Sequence, residues 1–144
     1  MQVKIKKLHQ DAITPTYATD GSACFDLYAI EDSFIDDIGH PNIKVPTGLA
    51  FEIPQGWQML IFSRSGHAAK NNVRLANCVG VVDSDYRGEV KVLLAADIDA
   101  QLAIKKGDRI AQAQLMPVHR VEFAEVDDLS DTERGAGGFG STGN

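Results

Sequence analysis

Residues 44–62 read KVPTGLAFEIPQGWQMLIF. Apolar side chains come here in short bursts, and Pro46, Gly48, Pro54 and Gly56 cut each burst before it reaches helical length. Proline lacks the N–H that a helix interior needs, and glycine loses the most backbone freedom there. The stretch therefore predicts strands and turns: Lys44–Ile53 interrupted at Pro46 and Gly48, a turn at Gln55-Gly56, then a strand at Trp57–Phe62. Outward from it the same grammar continues. Val79–Val82 is a short apolar run, and Glu89–Ala95 places Val90, Val92 and Leu94 on one face. Leu102–Ile104 precedes a Lys105-Lys106-Gly107-Asp108 turn, and Arg109–Met116 stops at Pro117. Arg120–Val126 is the last strand candidate. Turn signals recur about every 8–12 residues, the spacing of a sandwich or barrel. The best helix candidate is His67–Val73, only about two turns long. The expected fold class is all-β with one short helix.

The chain has 144 residues, which is one domain's worth. Hydrophobic residues make up 44%, enough for a core without covalent staples. Against 14 Lys+Arg stand 20 Asp+Glu, a net charge of −6. That balance excludes binding to a nucleic-acid polymer, which needs a basic face to displace counterions. Six of the acids lie in residues 122–133, EFAEVDDLSDTE, with no base among them. No apolar run has the length of a membrane-spanning helix, and MQVKIKKLHQ has no apolar region behind its lysines to make a signal peptide. Cys24 and Cys78 make no disulfide framework and no CxxC pair, so a reducing, cytoplasmic setting is expected. Residues 1–126 read as the β domain and 127–134 as an acidic linker. Residues 135–144, GAGGFGSTGN, hold five of the 13 glycines and read as a flexible arm, either a plain disordered end or a segment that orders on a ligand.

Several segments could carry chemistry. The arm matches GxGxxG literally, but that fingerprint needs a strand before it and a helix after it, and here the sequence ends, so the dinucleotide reading is rejected. Bare backbone N–H groups can still ring phosphate oxygens, with Arg134 as a cation, Ser141 and Thr142 as donors and Phe139 as a flat apolar face. Arg64-Ser65-Gly66 sets a cation, a hydroxyl and a glycine ahead of the predicted helix: an anion site, or a well-capped surface turn. In Gly80–Glu89, two glycines frame a hairpin-like turn. Asp83 closes an apolar strand where partial burial could raise its basicity, and Tyr86 could stack on a planar ligand. The same pattern also describes an ordinary turn with Asx hydrogen bonds. Asp26, among apolar neighbours, reads as a structural carboxylate, and Gln112 as a neutral donor on a strand. His9, His40, His67 and His119 show no metal spacing. The absence of H-x-E…P-C-x-x-C argues against a zinc deaminase, and there is no Gly-x-Ser-x-Gly elbow.

Five segments in order resemble the trimeric deoxyuridine triphosphatase (dUTPase) family. They are Ala23–Leu27 (ACFDL), Arg64–Gly66 (RSG), Asn77–Glu89 (NCVGVVDSDYRGE), Gly107–Gln112 (GDRIAQ) and Arg134–Gly143 (RGAGGFGSTG), with Val45–Leu49 (VPTGL) between the first two. The resemblance covers nearly the whole chain. It implies a jelly-roll-like β fold assembled as a homotrimer with active sites shared between subunits. It implies cleavage of dUTP to dUMP and pyrophosphate with Mg²⁺, keeping uracil out of DNA and supplying dUMP for thymidylate synthesis. Asp83 would be the general base for water attack on the α-phosphorus. Tyr86 would lie under the deoxyribose, and Asn77 with the backbone around Gly80, Val81, Val82 and Lys91 would read the uracil. Arg64, Ser65, Gly66 and Gln112 would hold phosphates. Phe139 would cap the base, while Arg134, Gly138, Gly140, Ser141 and Thr142 would close over the γ-phosphate. No direct protein ligand to the metal is implied, only Asp26 through a water. The family usually has Gly-Tyr where this chain has Cys24-Phe25, Leu where it has His67, and a small residue at Cys78. A dCTP deaminase on the same fold, and a regulatory module that binds a protein partner, are the alternatives.

Overall fold

The structure is a computed structural model that describes residues 1–139 and 141. In chain order the strands are β1 (Lys4–Lys7), β2 (Phe25–Tyr28), β3 (Ser33–Asp36), β4 (Asn42–Pro46), β5 (Leu49–Glu52) and β6 (Trp57–Phe62). Helix α1 (Ser65–Asn71) follows, then β7 (Val73–Leu75), β8 (Gly80–Val82), β9 (Lys91–Ala96), β10 (Gln101–Ile104) and β11 (Arg109–Pro117). A four-stranded sheet has the order β2-β11-β6-β8 and a three-stranded sheet the order β4-β9-β7, with β1-β5 and β3-β10 as two-stranded pairs. Every pairing is antiparallel. All four sheets feed one apolar cluster that includes Leu27, Ile35, Leu49, Met59, Leu94 and Ile110. The expected all-β domain with one short helix is what the chain forms.

Strand β6 has the bounds its sequence predicts, with Met59 and Ile61 turned to the core. In β9, Val92 and Leu94 are buried, as the alternation requires, and Val90 just ahead of the strand is buried too. Pro46 is tolerated because β4 is the edge of its sheet, where a missing N–H breaks no ladder. The helix is displaced two residues from the expected His67–Val73. Asn72 takes a left-handed φ of 52° and its N–H closes on the His67 carbonyl, which ends the helix and frees buried Val73 to start β7. The strand expected at Arg120–Val126 is not formed. Val121, Phe123 and Val126 are exposed, and among the described residues no strand lies beside that segment.

Two local devices position the functional segments. The first is the turn between β4 and β5. Gly48 adopts φ +67°, and a Cβ there would come within 3.0 Å of the Ala12 Cβ. The adjacent Thr47 is fully buried and donates its Oγ1–H to the Val90 carbonyl at 2.6 Å. Val90 N–H in turn donates to the Leu49 carbonyl, and Gly48 N–H to Glu89 Oε1 at 2.9 Å. The turn thus clamps the chain at Glu89 and Val90, where it passes from β8 toward β9. The second device is a bulge in β11: Arg109 pairs with Tyr28 but Ala111 with Leu27, so the register slips by one across Ile110.

Candidate functional site

The predicted residues gather in three places. Residues 80–89 turn back as expected but form no paired hairpin, because β8 pairs with β6 while β9 pairs with β4 and β7; this hairpin-like turn opens on a cleft of about 220 Å³. Asn77 and Gly80 lie at its base, Val81 and Val82 come from β8, Asp83 and Tyr86 from the turn, and Lys91 from the start of β9. β8 pairs with β6 so that Gly80 faces Ile61, and a Cβ on Gly80 would sit 3.1 Å from the Ile61 Cβ. The turn is closed by Tyr86 N–H donating to the Asp83 carbonyl at 3.2 Å, and Arg87 Nη1 donates to the Ser84 carbonyl at 2.7 Å. Tyr86 folds its ring over Gly88 and donates its hydroxyl to the Glu89 carbonyl at 3.0 Å. Asp83 is exposed, contrary to the expected partial burial, because it stands just past the last β8 residue on the rim of the cleft. Its carboxylate is therefore open to water and to a ligand.

A second cleft of about 400 Å³ is lined by Cys24, Asp26, Arg64, Ser65, Gly66 and Gln112, together with Arg109. Asp26 is 9% exposed and sits between two guanidiniums. Arg64 Nε lies 3.6 Å from its Oδ1 and Arg109 Nη1 3.3 Å from its Oδ2. Two cations against one carboxylate leave the cluster with one net positive charge, which suits an anion. The 63–67 turn is pinned from several sides. Gln112 Nε2 donates to the Ser63 carbonyl at 3.1 Å and Leu75 N–H to Ser63 Oγ at 2.9 Å. Arg64 Nη1 and the His67 ring both reach the Arg109 carbonyl, at 3.2 and 2.9 Å. Burial, with the Asp26 carboxylate as a second cause, pushes the Cys24 thiol up, so it adds no negative charge to this cleft.

The third group is the arm. Arg134 Nε donates to the Gly137 carbonyl at 2.8 Å, Ser141 N–H donates to the Gly138 carbonyl, and Phe139 is wholly exposed. These residues line neither cleft, and the two clefts share no lining residue. Gly140 and Thr142 lie outside the described residues. Thr47, Glu89 and Arg109 were given no role from sequence. Their signal was present, since each lies inside a quoted segment, but a buried hydroxyl, a bridging carboxylate and a paired guanidinium are visible only once the strands are registered.

A sequence profile of the dUTPase family matches residues 10–143. The chain is 52% identical to the deoxyuridine 5'-triphosphate nucleotidohydrolase of Nautilia profundicola over 99% of both chains. It is 44% identical to the same-named protein of a Hydrogenobaculum species, again over 99% of both. Among solved structures it is similar to a mutant dUTPase of Staphylococcus bacteriophage 80alpha with dUpNHpp, with a TM-score of 0.89, 25% identity and 99% of each chain covered.

Proposed function

The chain belongs to the dUTPase family, and on that premise we propose that it hydrolyses dUTP to dUMP and pyrophosphate. The observation that carries the reading is the exposed Asp83 carboxylate on a cleft of about 220 Å³ that Asn77, Val81, Tyr86 and Lys91 also line. Asp83 takes a proton from a water as that water attacks the α-phosphorus. The new P–O bond forms as the bond to the departing pyrophosphate breaks. Tyr86 lies under the deoxyribose and leaves no room for a 2′-hydroxyl. Asn77 and the backbone of Gly80, Val81, Val82 and Lys91 pair with the uracil edge. Cytosine would leave those groups unpaired, a penalty that can reach about 10⁴-fold. Arg64, Ser65, Gly66 and Gln112 take the phosphates, supported by the surplus positive charge of the Asp26 cluster. The product dUMP feeds thymidylate synthesis, and removal of dUTP keeps uracil out of DNA.

Among the described residues no group of three His, Cys, Asp or Glu could cage a metal. Asp26 already faces two guanidiniums. Both observations support Mg²⁺ carried on the triphosphate, with Asp26 one water away, over an ion held by one chain alone. Bound so, the ion would neutralise phosphate oxygens, which Mg²⁺ prefers.

Separate clefts, and an arm that lines neither, support a homotrimer in which one chain supplies the hairpin, another the 64–66 turn and a third the arm. Residues 1–126 would then be the β domain, 127–134 the linker, and 135–144 the arm closing through Phe139, Arg134, Gly138, Gly140, Ser141 and Thr142. No helix of the described residues is long and apolar enough to cross a membrane, and both cysteines are free, which fits a cytoplasmic enzyme. The test is pyrophosphate release from dUTP with Mg²⁺. We expect dTTP, dCTP and UTP to be nearly inert, and Asp83→Asn to bind dUTP without turning it over. Ammonia release from dCTP would favour a deaminase instead, and binding of a protein partner without turnover a regulatory module.

A further inference from the structure

We propose that His67 is a positioning residue that holds Arg64 in place for the phosphates of the substrate. The proposal rests on the reading of the Arg64 cleft as a triphosphate site.

His67 stands on the first turn of α1, and neither it nor any other residue of that helix is fully buried. Its ring is therefore not recruited by the core. It turns away from the helix and lies 2.9 Å from the Arg109 carbonyl. A carbonyl only accepts, so the His67 Nε2 must carry the hydrogen. The same carbonyl accepts Arg64 Nη1 at 3.2 Å. It can serve both because a carbonyl oxygen has two lone pairs, and because the β11 register slips just beyond Arg109. Arg109 also pairs its side chain with Asp26, the carboxylate that holds the Nε side of Arg64. The Arg64 guanidinium is thus held at Nε by Asp26 and at Nη1 by a carbonyl that His67 anchors to the start of the helix.

Arg64 is the N-cap of α1, yet no side chain caps that end. What fixes the turn is the set of bonds to β11 and Ser63, of which His67 supplies one. Removing that bond frees the turn to move relative to Arg109, while the Asp83 hairpin in the other cleft is untouched. The effect should fall on substrate binding and spare the chemical step.

The experiment compares His67→Leu, which fills similar space with no donor, against His67→Gln, whose amide N–H reaches to a similar distance. His67→Leu should raise KM for dUTP about three- to ten-fold, the scale of one hydrogen bond. Its kcat should stay within about two-fold of the parent, and His67→Gln should restore KM. An unchanged KM in His67→Leu, or a His67→Gln no better than His67→Leu, overturns the proposal. Calorimetric binding of inorganic tripolyphosphate to the same three proteins must follow the same order; equal affinities overturn it independently of any turnover. Nitrogen NMR of the free protein should show the Nε2–H tautomer at His67, and a ring protonated only on Nδ1 also overturns it. An unmodified chain that fails to hydrolyse dUTP defeats the triphosphatase reading instead, and the tripolyphosphate series then decides the role of His67.

Discussion

At Gly88 a single missing Cβ shapes the hairpin cleft. A methyl group there would run into the far end of the Tyr86 ring, which lies folded over the glycine with its hydroxyl on the Glu89 carbonyl. The backbone has no quarrel with alanine at this point, and Tyr86 is 47% exposed, so the ring can swing aside at little cost to the fold. Gly88→Ala should therefore change the unfolding free energy by less than about 1 kcal/mol, within the range of surface substitutions. Its effect should appear in discrimination. If Tyr86 is the wall that excludes a 2′-hydroxyl, as proposed, its displacement should lower the ratio of kcat/KM for dUTP over UTP about ten-fold or more. Parallel kinetics on the two nucleotides, with a urea melt as control, check this. A ratio equal to that of the parent protein would remove Tyr86 from the discrimination. The sequence carried Tyr86 and Gly88 as neighbours in a turn; that one folds over the other is a fact of side-chain conformation, which no spacing rule supplies.

The element that decides whether the 80–89 turn has a fixed base is the 45–49 turn. Thr47 Oγ1 is fully buried between the Val90 carbonyl and the Leu49 N–H. Thr47→Val keeps the shape and deletes both bonds, leaving a carbonyl and an N–H unsatisfied in the interior. The expected loss is about 1–3 kcal/mol, read from urea unfolding. Because the Val90 end of the clamp adjoins the hairpin, KM for dUTP should rise in the same variant. Legibility at this scale followed the physics of each element. Trp57–Phe62 was readable because Gln55-Gly56 bounds it on one side and its apolar run is too short for a helix. Helix α1 was misplaced by two residues because its end is set by the left-handed φ of Asn72, a backbone choice that asparagine permits but does not announce. β1 and β3 passed unnoticed because a four-residue exposed strand and a four-residue strand with one buried side chain have little pattern to show. Arg120–Val126 has a strand's composition and lacks a strand's neighbour. Of the site, the residue types were legible and their grouping into two separate clefts was not.

Charge acts on the molecule as a whole in two ways. Several surface carboxylates are held below their ordinary range: Asp36 by the backbone N–H of His40, then those of Gly39 and Ile38, Asp32 by the Lys105 ammonium and then the Lys106 N–H, and Asp11 by the Lys106 ammonium. A carboxylate whose folded pKa lies below its unfolded value of 3.8 stabilises the fold at all pH above that value. The contribution disappears as pH falls through the lower, folded value. The melting temperature should therefore be flat from about pH 7 to 5 and drop below about pH 4. Asp36→Ala should lower the plateau and flatten the drop, as thermal scans across that range would show. The net −6 does different work. It disfavours a nucleic-acid polymer but not a single nucleotide, for which the local surplus of Arg64 and Arg109 over Asp26 is enough. Six of the acids lie in residues 122–133, the exposed stretch ahead of the arm, where mutual repulsion favours the extended path that the proposed reach to another subunit requires. That reading has a sharp consequence. Asp83→Asn lacks the base, and a chain ending at Arg134 lacks the arm, so each should be inactive alone. In trimers assembled from an equal mixture, a site needs Asp83 from a truncated chain and an arm from an Asp83→Asn chain. If base and arm come from different subunits, about a quarter of the sites meet both conditions, because each position is filled at random. If both come from one chain, no site does. Co-refolding the two variants and measuring pyrophosphate release should therefore recover activity near one quarter of the parent value, and a mixture that stays inactive would place base and arm on the same subunit.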